Sequence, residues 1–174
     1  LFSTDEIEVF GQKQSQSDLR TSWFNVSPSN IKVLPGGLED VMRSLKSLPG
    51  VTAPNDFTSQ LIVRGSGPDQ NLIIMDEVEI FNPYRLYGLV SMFNPETLSD
   101  INLITGGFPA KYGDRLSAVL DVTNKEGITD RPFSLLANVN IANANVVVQG
   151  RNPLKIPGSW IVSARRTYYD LILG

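Results

Sequence analysis

Four short β-rich runs, Leu61-Ile62-Val63, Asn71 to Ile80, Ile101 to Thr105 and Ser117 to Thr123, occupy the middle of the chain, each closed by Gly, Pro or Asn. Runs of this length, bounded by residues that favour turns, specify the strands of a small sheet. One helix is written ahead of them. After Pro35-Gly36-Gly37, the residues Leu38, Val41, Met42, Leu45 and Leu48 fall at i, i+3, i+4, i+7 and i+10 and draw one apolar stripe. Glu39 and Asp40 sit in its first turn and Arg43 and Lys46 later, as the helix dipole favours, and Pro49-Gly50 ends it. Such a stripe has to pack, and the sheet is its expected partner. A second, shorter helix is expected around 95–100, where Asn94-Pro95-Glu96 supplies an N-cap, a Pro at N1 and an acidic first turn. The mixed order of these elements gives an α+β domain with a small mixed sheet and short helices.

Beyond Gly127 the texture changes. Phe133 to Gln149 and Trp160 to Leu171 are long strand-like stretches, separated by a turn-rich segment from Gly150 to Gly158. In the second, Trp160, Val162, Ala164 and Tyr168 alternate with Ser163, Arg165 and Thr167; Arg166 interrupts the apolar face and Ile161 the polar one. Strands of about 10 residues with this alternation suit an outer-membrane barrel hairpin. A soluble amphipathic hairpin with one buried face has the same period, and periodicity alone leaves both open. No run approaches the roughly 18 to 20 apolar residues of a transmembrane helix, so any membrane span would be made of strands. At the other end, Asp5-Glu6-Ile7-Glu8-Val9-Phe10 alternates like an edge or half-buried strand, and Gly11 to Arg20 reads as a polar linker. With Leu1 at the start, no signal peptide, and Leu171-Ile172-Leu173 just before the last residue, the sequence is expected to be a piece of a longer mature protein.

Composition narrows the chemistry. The 174 residues are 41% hydrophobic and 19% charged, which provides one ordinary core and argues against a disordered chain. The absence of Cys and His removes disulfide frameworks, thiolate metal sites, Ser-His-Asp catalysis and the commonest zinc ligand. A carboxylate-based hydrolase using Asp76 and Glu79 is the catalytic option left; it needs a deep pocket with two facing acids, and no spacing points to one. If Asp76 to Glu79 run as a strand, only Glu77 and Glu79 share a face, which favours a solvated edge over a hard-cation site. Gly65-Ser66-Gly67 continues with Pro68-Asp69 where a phosphate loop requires a third Gly and a helix start. A net charge of −3 with both signs interspersed offers no basic stripe to a nucleic acid. The expectation is a protein that is no enzyme, uses no cofactor or metal and binds no nucleic acid. Gly106-Gly107 and Gly113 read as suppliers of positive φ around a tight connection.

Two longer stretches, LIVRGSGPDQNLIIMDEVEIFNPYRLYG and FNPETLSDINLITGGFPAKYGDRLSAVLDVTNKEG, carry a family resemblance. Arg64-Gly65, the strand from Asp69 to Asp76, Gly107 with Tyr112-Gly113 and Arg115, and Lys125 with Gly127 resemble the run-by-run pattern of the plug domain of TonB-dependent receptors. The resemblance is particularly to the Bacteroidetes group that includes SusC-like transporters and their relatives. Ser47-Leu48-Pro49-Gly50-Val51 is similar to the end of the family's helix before its first core strand. Glu77 stands where the family has Gly after the strand's Asp, which puts the shape of that turn and the part played by Asp76 in question. Residues 5–10 resemble a TonB box, with Glu8 in place of an apolar residue.

What the resemblance implies is a gated importer in the cell outer membrane. Residues 1–20 would be the TonB-box-like strand and linker, 21–127 the plug, and 128–174 the first strands of a transmembrane β-barrel of about 22 strands. Asp5, Glu6, Ile7, Glu8, Val9 and Phe10 would pair with a sheet edge of TonB by strand addition, the N-terminus lying in the periplasm. Arg64 and Arg115 would make polar plug–barrel contacts, an alternative being that they only brace the plug's own loops. Asn82, Tyr84, Arg85 and Tyr87 lie in an aromatic loop that would face the imported nutrient ligand or an extracellular barrel loop; simple packing at the plug's apex is the other reading. Partners implied are TonB with its inner-membrane energising complex, the protein's own barrel, the membrane, the ligand and a SusD-like lipoprotein. The rival from another class is a free-standing periplasmic or extracellular ligand-binding module in which 133–174 are soluble strands.

Overall fold

A computed structural model describes residues 22–31, 40–55, 58–139, 143–154 and 156–168. The central element is a five-stranded mixed sheet. In chain order its strands are β1 (Ser22–Asn25), β4 (Asn71–Met75), β5 (Val78–Glu79), β8 (Leu98–Thr105) and β9 (Ala118–Asn124). They lie side by side as β1-β8-β9-β4-β5, with β4 and β9 parallel and the other pairs antiparallel. Two helices, α1 (Pro28–Ile31) and α2 (Val41–Ser44), and two small ribbons, β2 (Val51–Thr52) with β3 (Ile62–Val63) and β6 (Tyr84–Arg85) with β7 (Val90–Ser91), complete this unit. A separate three-stranded antiparallel sheet follows, β10 (Ser134–Val139), β11 (Asn143–Arg151) and β12 (Ser159–Thr167).

Period-2 alternation divides the central sheet into two apolar faces. Register pairs Leu103 with Leu120 and Ile73 with Leu120, and Ile101 with Val122, so these side chains share one face. They pack with Ile31, Val41, Met42, Leu45 and Phe93 in the main core. Ile104, Val119 and Leu72, one residue along on each strand, fall on the opposite face and are covered by Phe108 and Tyr112. Burial on both faces is why β9 reads as a nearly continuous apolar run. Each of these aliphatic side chains contributes about 1.5–3 kcal/mol by leaving water.

The helix is shorter than its apolar stripe. Asp40 caps it, its Oδ1 accepting from the Arg43 N–H at 3.1 Å, and Val41, Met42 and Leu45 are buried as expected. From Leu45 to Ser47 the backbone tightens to a 3₁₀ turn, and Leu48 is extended at ψ 147°. Two hydroxyls account for part of this: Ser44 Oγ donates to Val41 O at 2.6 Å and Ser47 Oγ to Ser44 O at 2.8 Å, which competes with the α pattern. Pro49 disfavours α geometry at Leu48. Leu38 and Glu39 lie outside the described residues.

Several strand expectations are corrected. Asn71 to Ile80 is a hairpin rather than one strand, because Asp76 (φ 49°) and Glu77 (φ 68°) form a two-residue turn between the paired Met75 and Val78. Asp76 and Glu77 are therefore turn residues, and the face that Glu77 would share with Glu79 in a continuous strand does not exist. Positive φ at both central positions is the hairpin geometry that matches strand twist, here without a glycine. Leu61–Val63 does not join the central sheet; Val63 pairs with Val51, and Arg64 (φ 51°) with Gly65 (φ 80°) turns the chain away. The helix expected around 95–100 is a single 3₁₀ turn, Pro95–Thr97, capped by Asn94 as foreseen, because pairing with β9 takes the chain from Leu98 onward. The stretch 133–149 is two strands, not one. Gly106 and Gly107 have positive φ, whereas near Gly113 it is Asp114 that does (φ 70°). The strand expected at 5–10 and the linker that follows lie outside the described residues.

Candidate functional site

The three-stranded sheet has its polarity reversed for a water-soluble element. Register aligns Leu135 with Val148 and Val162, and Ala137 with Val146 and Ala164, on one face. On the other it aligns Asn138 with Asn145 and Arg165, and Leu136 with Val147 and Ser163. The apolar face points away from the rest of the molecule: Leu135 is 57% exposed, Val139 73% and Val162 61%. The polar face points inward, and Asn143, Asn145 and Val147 are buried. A soluble hairpin would bury the first face and wet the second.

Hydrogen bonds from β11 and β12 seat this sheet on the central unit. Asn94 and Asn145 exchange reciprocal amide hydrogen bonds, Asn94 Nδ2 to Asn145 Oδ1 at 2.9 Å and Asn145 Nδ2 to Asn94 Oδ1 at 2.8 Å, both residues being buried. Asn94 Oδ1 also accepts from the Glu96 N–H at 3.1 Å, so one side chain caps the 3₁₀ turn and grips β11. Beside it, Arg165 Nη1 on β12 donates to the Phe93 carbonyl at 2.8 Å. At the far end of the same sheet, a Cβ on Gly127 would strike the Trp160 carbonyl and one on Gly150 the Pro132 carbonyl. Backbone approaches of this kind admit only glycine.

The two sequence-selected arginines occupy different places. Arg64 Nη2 donates to Ser22 Oγ on β1 at 3.2 Å, and its guanidinium lies over Gly106, where a Cβ would come within 2.5 Å of Nη1. Arg115 Nη2 pairs with Glu79 Oε1 at 2.8 Å in a partly solvated ion pair, the side chains being 25% and 52% exposed. Asp76 accepts from Asn124 N at 2.9 Å and Nδ2 at 2.6 Å, tying the hairpin turn to the end of β9. The two acids of the hydrolase reading are thus each committed to a different partner, and among the described residues no cluster of acids gathers to hold a metal ion.

The aromatic loop is organised by β6 and β7. Asn82 Oδ1 accepts from the Tyr84 N–H at 3.2 Å, and Met92 N donates to Pro83 O at 2.7 Å. Tyr87 is held at φ 56° and is fully exposed, as is nearly all of Phe81. Burial raises the Tyr84 phenol above its ordinary pKa of 10.0; the Leu61 backbone opposes the rise and the Asp40 carboxylate adds to it. Two clefts flank the loop. The larger, about 420 Å³, brings Tyr84 together with Arg115, Glu79, Asp69 and Phe81. The smaller, about 230 Å³, lies between Arg85 and β7 on one side and Arg165 and Thr167 of β12 on the other.

Residues 14–119 match the sequence profile of the TonB-dependent Receptor Plug Domain. The chain belongs to this family of plug domains. It is 26% identical over 141 residues to the TonB-dependent transporter Oar of Myxococcus xanthus, the match covering 72% of this chain and 13% of that protein. Its fold is similar to that of the siderophore receptor PirA from Pseudomonas aeruginosa, with a TM-score of 0.58 at 21% identity over 83% of this chain and 27% of that one. The chain therefore spans only a fraction of the length of these relatives.

In this plug domain the small mixed sheet with few short helices is the expected fold. Plug domains gate the barrels of their receptors. The residues that sequence reasoning missed are Asn94 as more than a cap, Asn145 and Arg165. Asn94 was visible only as a helix start; Asn145 and Arg165 carried the inward-polar alternation, but nothing in the spacing of residues 94, 145 and 165 announces that they meet. Asp5 to Phe10 lie outside the described residues.

Proposed function

We propose that the chain is the gate of a TonB-dependent outer-membrane importer, with 21–127 as the plug, 128–174 as the first strands of the barrel wall and 1–20 as the coupling segment. The observation that carries this reading is the reversed polarity of β10–β12, with a polar face seated on the plug and an apolar face turned outward. A barrel strand alternates in this sense, apolar to lipid and polar to lumen. The rival binding module would leave Leu135, Val139 and Val162 in water without a partner, which the hydrophobic effect disfavours.

In this reading ligand binds from outside near Asn82, Tyr84, Arg85 and Tyr87, and Asp5 to Phe10 become available in the periplasm for strand addition to TonB. Hydrogen bonds of the kind described at the plug–wall seam each contribute modestly, which suits a plug that can be displaced. Arg64 and Arg115 keep their proposed place at the barrel wall, although the contacts described for them are within the plug. The motif order between 61 and 127 supports a SusC-like subgroup, for which a SusD-like lipoprotein would co-purify with the full-length protein. The decisive test is binding of the full-length protein, in detergent, to the C-terminal domain of TonB from the same organism, with and without residues 1–10. Binding lost on deletion supports the coupling role; binding that survives deletion, or none at all, removes it.

A further inference from the structure

The larger cleft combines an apolar lining with a surplus of hydrogen-bond acceptors. Ile73, Phe81 and Tyr84 supply the apolar part, Ile73 being buried and Phe81 almost wholly exposed. Arg115 is the cation of the lining, and its guanidinium is already answered: Nη2 by Glu79 Oε1 at 2.8 Å and Nη1 by the Asp114 carbonyl at 3.0 Å. Asp69 has no such partner. Its Oδ2 accepts from the neutral Gln70 amide at 2.6 Å, and its Oδ1 lies over Gly67, where a Cβ would come within 2.5 Å of it. Among the described residues it makes no ion pair, so its charge stands unbalanced. Asn71 adds a second acceptor. Its Nδ2 donates to the Leu61 carbonyl at 2.9 Å, and because a carbonyl can only accept, the amide nitrogen has to face Leu61. That leaves Oδ1, which is buried and has no hydrogen-bond partner. Buried polar atoms are nearly always satisfied, so an unmet acceptor on a residue lining a cleft marks a place for a donor.

We infer that this cleft takes a protonated amine, its ammonium group beside the Asp69 carboxylate and the Asn71 amide oxygen and its hydrocarbon against Ile73, Phe81 and Tyr84. An ammonium carries three donors and no acceptor, which suits a lining whose surplus is of acceptors. Charge-assisted hydrogen bonds are the strong ones, and aromatic rings attract a cation further. An anion would meet two carboxylates, Asp69 and Glu79, against one guanidinium that is already committed. A neutral alcohol would leave the Asp69 charge unbalanced. The volume of about 420 Å³ admits a small organic solute. Every residue named lies between 60 and 115, so the inference goes beyond the importer reading and depends neither on the coupling segment nor on the wall strands.

The test is isothermal titration calorimetry of the full-length protein in detergent micelles with cadaverine and, separately, with its uncharged counterpart 1,5-pentanediol. TonB is left out, so that a failure of energy coupling cannot affect the readout. Saturable binding of cadaverine that weakens as salt rises is expected, with none for the diol. Asp69→Asn removes the charge and keeps the shape, and should weaken binding about tenfold. Phe81→Ala, at an exposed ring, should weaken it by a smaller factor. Asp130→Asn, at an exposed acid paired with Arg131 and outside the lining, should leave it unchanged. Near-identical circular dichroism would show that the variants keep the fold. Absence of saturable cadaverine binding would overturn the proposal, as would equal binding of the diol or equal affinity in wild type and Asp69→Asn. None of these results bears on binding to TonB, which tests the gate reading separately.

Discussion

Replacing Asn145 by Ala isolates the grip of the plug on the three-stranded sheet β10–β12. The side chain donates one hydrogen bond to Asn94 at 2.8 Å and accepts one from it at 2.9 Å, in a buried setting. Their loss does not fall equally on the partner. Asn94 Oδ1 still accepts from the Glu96 N–H, whereas Asn94 Nδ2 loses the acceptor it has in the structure. One orphaned buried donor costs about 1–3 kcal/mol, more than the net value of a typical hydrogen bond. The 3₁₀ cap survives, so the cost appears as easier local opening at the seam. Hydrogen exchange of the amides from Phe93 to Thr97 in the full-length protein should speed up about tenfold, since 1.4 kcal/mol is a factor of ten. Asn94→Ala also removes the cap and should cost about 1 kcal/mol more. In the double variant the two losses should fall short of additivity by about 1 kcal/mol or more, the signature of direct contact. Exchange rates in Asn145→Ala within twofold of wild type, or strictly additive losses, would refute the reasoning.

Three further outcomes follow from other parts of the molecule. Arg at Val162, on the outward face, should impair folding into lipid vesicles by about 2–4 kcal/mol near the bilayer midplane, while Arg at neighbouring Ser163, on the inward face, should be tolerated; equal behaviour in a gel-shift folding assay would reject the assignment of faces. Glu77→Gly relieves about 1–2 kcal/mol of left-handed strain at φ 68° and adds about 0.5–1 kcal/mol of unfolded-state entropy, so a net gain of about 0.5–1 kcal/mol is expected in denaturant unfolding, and a loss would mean that the turn changes type. Tyr84 has a raised phenol pKa, so the folded state disfavours its phenolate: its contribution to stability is full below the ordinary value of 10.0 and falls as pH rises beyond it. Ultraviolet titration of wild type against Tyr84→Phe should show one late-titrating phenol missing, and superimposable curves would contradict it.

The elements that local chemistry specifies were legible in the chain. Asn94 caps the turn it was expected to cap, Val41, Met42 and Leu45 are buried, and the runs at 101–105 and 117–123 are strands, because capping, apolar period and β-branching act over a few neighbouring residues; Asp40, expected inside the first turn, is instead the N-cap. Errors arose where a longer-range contact outweighed a local signal. Asp76 and Glu77 continued a strand pattern but turned, since β5 folds back on β4. Leu61 to Val63 had strand composition, but the bend at Arg64 and Gly65 sends it to β2.

The strand at Ser22–Asn25 exists by virtue of the edge that β8 offers it, which no local pattern records. The alternation in β12 fixed which residues share a face, because that period is built into the backbone. It could not say which face would be inside. That was decided by Asn94 and Phe93 meeting Asn145 and Arg165 across 51 and 72 residues of sequence, a pairing of buried polar groups that only the folded chain brings within hydrogen-bond reach.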